Sequence, residues 1–399
     1  MGDSKTRKQP KKIFYAGGPG NVIRAHKHWR SGDHDPTEVS ITFSSQVEQF
    51  AADIGAELYI VCHHKQAETL VDGNVIIEDL PKPWPNSSGV FFHIRELVYT
   101  IQLLIRAVKF RSDLAIIDSG TTHYFLQSVF ALFGIRVVPV LHNALWANGF
   151  PPSTTASKVI AFLDRYFWKY VPEVTLCVSP VCERQVRSVA GDTARPLVQI
   201  RAQFNTEYFD AIPPPPPHHQ RPFTIIFVGR VVESKGVFDI VKIASILEKT
   251  VPGEVKWIIC GTGADLETLR STVTSSNLDH VVTVRGWTSP KDLQQVYPES
   301  HCLIVPTRSS FAEGLAMTAV EAALAGRPVI TNPVVPALEV LRDCSIECKP
   351  DDPESYANNI LKLIVDPGWY RRMQSAARSS ARPFLDRSLG LTEVLKRLL

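Results

Sequence analysis

Two acidic residues, Glu313 and Glu321, lie eight positions apart in the segment HCLIVPTRSSFAEGLAMTAVEAALAG, which spans residues 301–326. A helical rise of ~1.5 Å per residue would separate them by roughly 12 Å, which is too far for two carboxylates that share a proton. That separation is close to the span of a nucleoside diphosphate sugar, so one carboxylate could hold the sugar and the other the ribose. Taken alone, the pair is equally compatible with one solvated and one capping glutamate on an amphipathic helix.

The segment around these acids is predicted to form a strand, a loop and a helix. Residues 301–305 are a short, largely apolar run that suits a buried parallel strand, and Pro306 ends it. Residues 316–324 are mostly strong helix formers, and Gly326 follows as a common helix stop. The predicted helix N-terminus therefore lies between the two acids, where free N–H groups and the helix dipole favour a phosphate.

Two cations, Arg230 and Lys235, flank a predicted strand-to-helix turn in TIIFVGRVVESKGVF. They lie next to Gly229 and Gly236, at the carboxyl end of the strand, where ligands bind in parallel sheets. Two fixed cations that face a diphosphate neutralise the charge that develops as a sugar leaves. The alternative interpretation is a pair of surface cations beside a helix start.

Together these motifs resemble the signature of retaining glycosyltransferases of the GT-B fold, in particular glycosyltransferase family 4. The resemblance rests on EGLAMTAVE followed by AALAGRPVI, and on the pattern Gly-Arg-x4-Lys-Gly earlier in the chain. It is continuous over residues 224–366 and patchy before residue 213. The family usually has a glycine at the position of Ala316 and often an aromatic residue at that of Leu315.

The resemblance implies roles for residues on both sides of a cleft. Arg230 and Lys235 would hold the donor diphosphate, while Glu313 would hold the sugar and Glu321 the ribose. His142, which ends the predicted strand VVPVL, would reach the donor sugar from the other domain, although a lone histidine is more often structural. Further donor contacts are implied at Gly18, Gly20, Gly229, Arg285, Gly286, Gly314, Leu315, Ala316 and Met317. Catalysis would involve Glu313, His142, Arg230 and Lys235, without a metal ion or a cofactor.

Two motifs near the start of the chain have competing interpretations. IFYAGGPGNVIRAHKHW passes from a strand through Gly18 and Gly20 into a helix, a turn that lets backbone approach a phosphate closely. It is not a Rossmann fingerprint, because Ile23 occupies the place of the third glycine, but it resembles the GGP loop of the family. Asp33-His34-Asp35 has the metal-binding pattern of the other large glycosyltransferase fold, and its position favours a plain loop.

The pattern of elements predicts an α/β chain of GT-B architecture, with two Rossmann-like doubly wound domains facing across a cleft. We expect a basic disordered tail over residues 1–12 and an N-terminal, acceptor-side domain over residues 13–212. A proline-rich linker over residues 213–220 would then lead into a nucleotide-sugar domain over residues 221–380. By analogy, a C-terminal helix over residues 381–399 should cross back to the first domain.

Charge and hydropathy restrict the partners of this 399-residue chain. The formal net charge of +3 implies no bulk affinity for nucleic acid. No apolar run approaches 18 residues and no signal peptide is evident, so we expect a cytoplasmic protein. The predicted helix at residues 93–110 is basic and amphipathic, and it could either lie on the inner face of an anionic membrane or pack in the core. The aromatic segment at residues 161–170 raises the same two alternatives.

The sequence thus predicts a hexosyltransferase that moves a sugar from a nucleotide diphosphate, with a UDP- or GDP-sugar as the expected donor. The acceptor would be a saccharide or lipid-linked glycan, the anomeric configuration would be retained, and the pathway would make polysaccharides or glycoconjugates. A nucleotide-sugar epimerase or hydrolase of the same fold is one alternative. A non-catalytic nucleotide-sugar-binding subunit is the other, which Leu315 and Ala316 encourage and the four charged residues disfavour.

Overall fold

The computed structural model describes residues 9–33, 35–63, 67–191 and 194–399. Two parallel sheets, each flanked by helices, lie one after the other along the chain. In the described part of the chain, no helix combines the length and hydropathy needed to cross a bilayer.

The first sheet has eight strands in the order β4-β5-β3-β1-β6-β7-β8-β9, all parallel except for the β4–β5 hairpin, and a separate two-stranded ribbon pairs β10 with β2. The inner strands are continuous apolar runs because helices cover both faces of the sheet. The strands are β1 Lys12–Ala16, β2 Ser40–Ile41, β3 Glu57–Cys62, β4 Glu68–Asp72, β5 Val75–Asp79, β6 Leu114–Asp118, β7 Arg136–Leu141, β8 Thr175–Cys177, β9 Leu197–Gln199 and β10 Gln203–Phe204.

Side-chain caps mark where several helices of this domain begin. Asn21, Thr42, Thr154 and Ser179 each accept a hydrogen bond from a backbone N–H of the first turn, which satisfies a donor that the helix itself leaves free. The helices are α1 Val22–Ser31, α2 Phe43–Asp53, α3 Gly89–Phe110, α4 Ser128–Leu132, α5 Thr155–Tyr170, α6 Pro180–Ala190 and α7 Thr206–Asp210.

The second sheet has six parallel strands in the order β13-β12-β11-β14-β15-β16. Its strands are β11 Phe223–Val228, β12 Val255–Cys260, β13 Val282–Gly286, β14 Cys302–Val305, β15 Val329–Thr331 and β16 Ser345–Glu347. Its helices are α8 Val237–Thr250, α9 Leu266–Ser275, α10 Pro290–Val296, α11 Met317–Leu324, α12 Ala337–Val340, α13 Pro353–Val365, α14 Pro367–Ala381 and α15 Leu391–Leu398.

The two domains are packed together at several points, and the end of the chain returns to the first domain. Helix α15 lies on α2, where Thr392 donates to the Gln46 carbonyl oxygen at 2.8 Å and Lys396 pairs with Asp53 at 2.9 Å. After the five prolines, the buried Arg327 binds back to the Pro213 carbonyl oxygen at 2.8 Å. These contacts hold the facing edges of the two sheets across a cleft.

Several predicted boundaries were wrong. Helix α3 begins at Gly89 rather than at His93, and the expected helix HYFLQSVFALFG is a 3₁₀ turn at Tyr124–Gln127 followed by the short α4. Strand β4 was not predicted, because its residues ETLVD are mostly polar or exposed at a sheet edge. The predicted tail also extends too far: Lys12 already pairs with Glu57 in β1, while residues 1–8 lie outside the described part.

Candidate active site

A cavity of about 420 Å³ lies between the two domains at the carboxyl edges of their sheets. On one side it is lined by the glycine-rich loop after β1 and by residues that follow β6 and β7. On the other side it is lined by the loop between β14 and α11, including Glu313, Leu315, Ala316 and Met317. The cavity therefore brings together the predicted donor contacts at Gly18 and Gly20, the predicted site residue His142 and the loop that carries Glu313.

The glycine-rich loop presents open backbone to this cavity. A Cβ atom built on Gly18 or Gly20 would meet no atom within 4 Å. Packing against the protein therefore does not require glycine at either position, and both residues line space that a ligand could occupy. This is the arrangement that a close approach of phosphate to the backbone requires.

His142 follows β7 and is positioned by neighbours that the sequence analysis did not identify. Its Nε2 lies 2.9 Å from Asp118 Oδ1, although the two groups are not aligned as a hydrogen bond, and its ring lies 4.2 Å from that of Phe43. Asp118 ends β6 and also accepts a 2.6 Å hydrogen bond from the Tyr15 hydroxyl. Burial, followed by the Asp118 charge, raises the pKa of Tyr15 well above its usual value, so the hydroxyl stays a donor.

Glu313, on the opposite wall of the cavity, forms an ion pair with Lys235, which lies 78 positions earlier in the chain. Thr307 donates to the same Glu313 oxygen at 3.2 Å, and both members of the pair are largely buried. Lys235 is brought to this point by Gly236, whose φ of 76° and close contact with the Pro306 carbonyl leave no room for a side chain. The ion pair and the contact of Gly236 with Pro306 thus hold the loop after β11 against the loop after β14.

Phe311 was also missed, and it gathers both predicted cations. Lys235 Nζ lies 4.4 Å from the centre of its ring, and the Arg230 guanidinium lies 5.5 Å away. Arg230 is otherwise exposed, without a carboxylate partner among the described residues. An aromatic face attracts cations, so Phe311 keeps two like charges close to each other at the edge of the cleft.

Gly314 touches the other domain directly. A Cβ atom at this position would lie 1.6 Å from the His142 carbonyl oxygen and 2.9 Å from the Asn143 Cα. Only a residue without a side chain allows the two main chains to come this close. Gly314 thus sets the separation of the two loops that bracket the cavity, rather than making room for a ligand.

Helix α11 begins one residue later than predicted, because Ala316 is in the left-handed region with φ of 69°. This conformation costs an L-residue roughly 1–2 kcal/mol. Position 316 is also the one at which the family that the sequence resembles usually has glycine. The strained backbone is retained with a methyl side chain, and Leu315 before it is buried. The free N–H groups at the start of α11 therefore still open onto the cavity wall.

Glu321 lies one turn into α11 and is buried. No described residue donates a hydrogen bond to its carboxylate or forms a salt bridge with it. Burial first, and then the nearby Glu38 charge, raises its pKa from 4.5 to about 7. A buried carboxyl group without a partner is costly and is often found where a ligand supplies the missing bonds.

Substituting glutamine for Glu321 should make the protein more stable at high pH. Because the pKa is raised on folding, the unfolded state loses this proton near pH 4.5 and the folded state near pH 7. Wild-type stability should fall over that interval, and Glu321→Gln should make the fall less steep and gain a few kcal/mol by pH 8. Part of the fall should remain, because burial also raises the pKa of Asp164 to about 7. Urea unfolding at pH 5, 6, 7 and 8 measures it. Glu354→Gln, an exposed change on α13, should keep the wild-type slope, and an unchanged slope in Glu321→Gln would disprove the assignment.

The remaining predicted residues, like Arg230, Lys235 and Glu321, are not among those that line the cavity. A Cβ atom built on Gly261 would lie 1.8 Å from the Gly229 carbonyl oxygen, so these two glycines pack closely where β11 and β12 end. Gly286 accepts a hydrogen bond from the Gly261 N–H at 2.7 Å, and Arg285 pairs with Glu299 at 3.6 Å. All three belong to the β11–β13 side of the second sheet, away from the residues that line the cavity.

The Asp35 carboxylate of the Asp33-His34-Asp35 motif has its partners within the protein. Asp35 pairs with Arg24 at 2.9 Å and accepts hydrogen bonds from the Thr37 N–H and hydroxyl at 2.9 and 2.8 Å. Hydrogen bonds from Thr37 and Arg24 lower the pKa of this carboxyl in spite of its burial. His34 lies outside the described residues. Asp35 thus has a structural explanation as the anchor of its loop.

Comparison with known proteins agrees with this architecture. The family model described as glycosyl transferases group 1 matches residues 209–380. The 2-deoxystreptamine N-acetyl-D-glucosaminyltransferase of Niallia circulans is 27% identical over 145 residues, which are 36% of this chain and 36% of that enzyme. The match therefore covers little more than a third of the length of this relative.

Solved structures resemble the chain over nearly its whole length. Sucrose-phosphate synthase from Thermosynechococcus elongatus has a TM-score of 0.71 at 16% identity, covering 97% of this chain and 98% of that chain. Anabaena HepE in complex with UDP and glucose has a TM-score of 0.66 at 15% identity, covering 97% and 99%. At sequence identities of 15–16%, this structural similarity shows a shared fold and not a shared function. The chain thus has the GT-B fold, and its residues 209–380 match the family model described as glycosyl transferases group 1.

Proposed function

We propose that this protein transfers a sugar from a nucleotide diphosphate donor to a saccharide or lipid-linked acceptor, with retention of the anomeric configuration, as glycosyltransferase family 4 enzymes do. The observation that carries the proposal is the pair of cations Arg230 and Lys235 beside the Phe311 ring, with Lys235 paired to Glu313, which lines the interdomain cavity. It combines two cations, a carboxylate and a helix N-terminus, which are the groups a sugar diphosphate needs.

The donor diphosphate binds on the wall of the second domain. Without ligand, the Lys235 ammonium pairs with the Glu313 carboxylate. The net charge of the pair is zero, so the attraction between the two groups offsets the cost of removing them from water. A diphosphate attracts the Lys235 ammonium and the Arg230 guanidinium, and the N–H groups at the start of α11 add to this site. Glu313 is then free to accept hydrogen bonds from sugar hydroxyls. No metal ion is required, because the two cations compensate the charge of the leaving phosphate.

Glu321 accepts the ribose hydroxyls in this arrangement. Its carboxyl group is buried and has no partner among the described residues, so two hydroxyl donors would replace missing hydrogen bonds. A UDP-sugar is the first donor to test, since HepE has been crystallised with UDP and glucose, and a GDP-sugar is the second.

The first domain closes the reaction space. His142 lines the cavity beside Asp118, and the Gly18–Gly20 loop that follows β1 lines it as well. No side chain acts as the nucleophile in the proposed mechanism. The acceptor hydroxyl attacks from the face that the leaving diphosphate vacates, and that phosphate takes the acceptor proton, so configuration is retained.

A thermal-shift panel of UDP, GDP, ADP and their sugars tests donor binding. A nucleotide sugar present at 100 times its dissociation constant should add about 2.7 kcal/mol to the free energy of unfolding, visible as a raised melting temperature. The sugar nucleotide that binds is then incubated with saccharide and lipid-linked acceptors in EDTA, and the products are analysed. Transfer with retention supports the proposal.

The same two measurements separate the alternatives. Epimerisation or hydrolysis of the donor without any acceptor would favour an epimerase or hydrolase. Binding without any turnover would favour a non-catalytic subunit, and turnover that EDTA abolishes and manganese restores would overturn the metal-free mechanism. If no nucleotide stabilises the protein, the proposed donor site is wrong.

A further inference from the structure

Helix α3 exposes the apolar face that would normally be buried. Its inward side consists of Tyr99, Leu103 and Ala107 together with polar residues, and most of its other large aliphatic residues point outward. Phe91 is 70% exposed and Ile101 is 47% exposed. The outward apolar residues of this helix recur with a spacing of three or four positions: Val90, Phe91, Ile94, Leu97, Ile101, Ile105 and Val108.

Helices α4 and α5 continue this exposed apolar surface. In the part of the chain that the structure describes, nineteen large hydrophobic residues are exposed, and fourteen of them belong to α3, α4 with its C-cap, and α5. On α4 and its C-cap they are Leu132 and Phe133, and on α5 they are Val159, Phe162, Leu163, Tyr166 and Tyr170. Such a concentration greatly exceeds the scattered exposed hydrophobic residues of an ordinary surface.

The three helices cover the same face of the first sheet. Each follows a strand and leads to a parallel strand further in the same direction, and right-handed crossovers place all such helices on one face. Aromatic contacts bind them side by side: His93 of α3 stacks on His123 at 5.1 Å, and Tyr124 lies 4.7 Å from Trp168 of α5. We name the exposed hydrophobic residues of α3, of α4 with its C-cap, and of α5 the apolar face.

The exposed charged side chains on these helices, and at the C-cap of α3, are all positive. Lys109 and Arg111 lie at the end of α3, and Lys158, Arg165 and Lys169 lie on α5. The three helices contain only two carboxylates, and both point inward: Glu96 binds Lys82 and Arg95, and Asp164 accepts from the Phe125 N–H at 2.9 Å. Thus no carboxylate on these helices opposes an anionic surface.

We propose that the apolar face lies in the interfacial region of an anionic lipid bilayer. Partly inserted phenylalanine, leucine and isoleucine side chains gain hydrophobic free energy, while lysine and arginine at the same level attract anionic headgroups. A second copy of the chain is the other possible cover, but an isologous dimer would place this basic face against itself. Charge complementarity therefore selects the bilayer.

The position of the apolar face also suits the proposed function. The inference about the acceptor in this paragraph rests on that function, whereas the membrane proposal does not. Helices α3 and α5 begin at the carboxyl ends of β5 and β7, the sheet edge at which the cavity lies. A chain docked by these helices would hold its cavity next to the headgroup layer. A lipid-linked acceptor, rather than a freely diffusing saccharide, is the class of substrate that this placement serves.

Flotation of the full chain with unilamellar vesicles tests the membrane proposal without any activity measurement. Vesicles of phosphatidylcholine with one fifth phosphatidylglycerol should carry the protein upward, and pure phosphatidylcholine should carry much less. Phe91→Ser with Phe162→Ser should lower the partition coefficient at least about 10-fold. Lys158→Ala with Arg165→Ala should lower it about 30-fold, at about fivefold per cation. Raising the salt concentration should weaken the wild-type partition.

Control substitutions remove similar groups elsewhere on the surface. Val365→Ser, a 75% exposed position on α13, and Lys291→Ala with Lys349→Ala should float like the wild type. Equal melting temperatures would show that the variants are folded. A wild type that floats with neither vesicle, or equally with both, would overturn the proposal. So would a dimer in sedimentation velocity that Phe91→Ser with Phe162→Ser converts to monomer.

Discussion

Replacing Lys235 with alanine should reduce sugar transfer by about 10²-fold or more while the fold is maintained. The lysine is the buried cation closest to Glu313, and in the proposed mechanism it stabilises the charge on the leaving diphosphate. The loss should appear in kcat, since the interaction strengthens as the glycosidic bond breaks, and nucleotide diphosphates should also stabilise the variant less. Steady-state kinetics with the donor found by thermal shift, together with a melting curve, measures both effects.

The matched control is Lys242→Ala, a lysine on α8 that is 60% exposed and pairs with Asp239. It removes the same charge from the same domain and should leave turnover within about twofold, as expected for an exposed ion pair. If Lys235→Ala retained wild-type kcat and a wild-type thermal shift with nucleotide, Lys235 would have no part in donor binding. The ion pair with Glu313 would then be structural.

Replacing Gly314 with alanine should have the second large effect, because the added methyl group has no space. Its Cβ would lie 1.6 Å from the His142 carbonyl oxygen, so main chain rather than a flexible side chain must move. The loops of the two domains would then separate, and misplacement by about 1 Å can cost 10²-fold in rate. Turnover should fall by about that factor. Binding of the free nucleotide should persist, since the proposed diphosphate site lies on the second domain.

Gly20→Ala provides the steric control, because a Cβ there meets no atom within 4 Å. Its melting temperature should equal that of the wild type, whereas Gly314→Ala should melt earlier. Turnover and donor binding are measured on both variants. Wild-type kcat in Gly314→Ala would mean that the two domains do not need this close approach during the reaction.

The charged residues of the site could be located on elements from sequence, because their context is local. Arg230 and Lys235 follow an apolar strand and precede a helix, and both features are visible within about fifteen residues of sequence. The same holds for Glu313 and Glu321 on either side of the α11 N-terminus. Parallel-sheet topology then places such residues at one edge.

The neighbours that position these residues were missed because they are distant in sequence. Asp118, 24 residues before His142 by numbering, ends another strand, and Tyr15 reaches it from more than a hundred residues away. Phe311 lies inside a polar loop whose sequence does not indicate what its ring contacts. Each is recognisable only when neighbouring strands have been placed in the sheet.

By itself, the sequence determined the alternation of strands and helices, the α/β fold class and the candidate charged residues, because periodicity and turn residues act over short distances. Only the tertiary structure decided that Gly314 abuts His142, that Ala316 keeps a left-handed backbone, and that α3 turns its aliphatic residues outward. The pattern of α3 fits a buried stripe as well as an exposed one. Which of the two occurs depends on how the whole helix packs on the sheet, a long-range property that no local segment encodes.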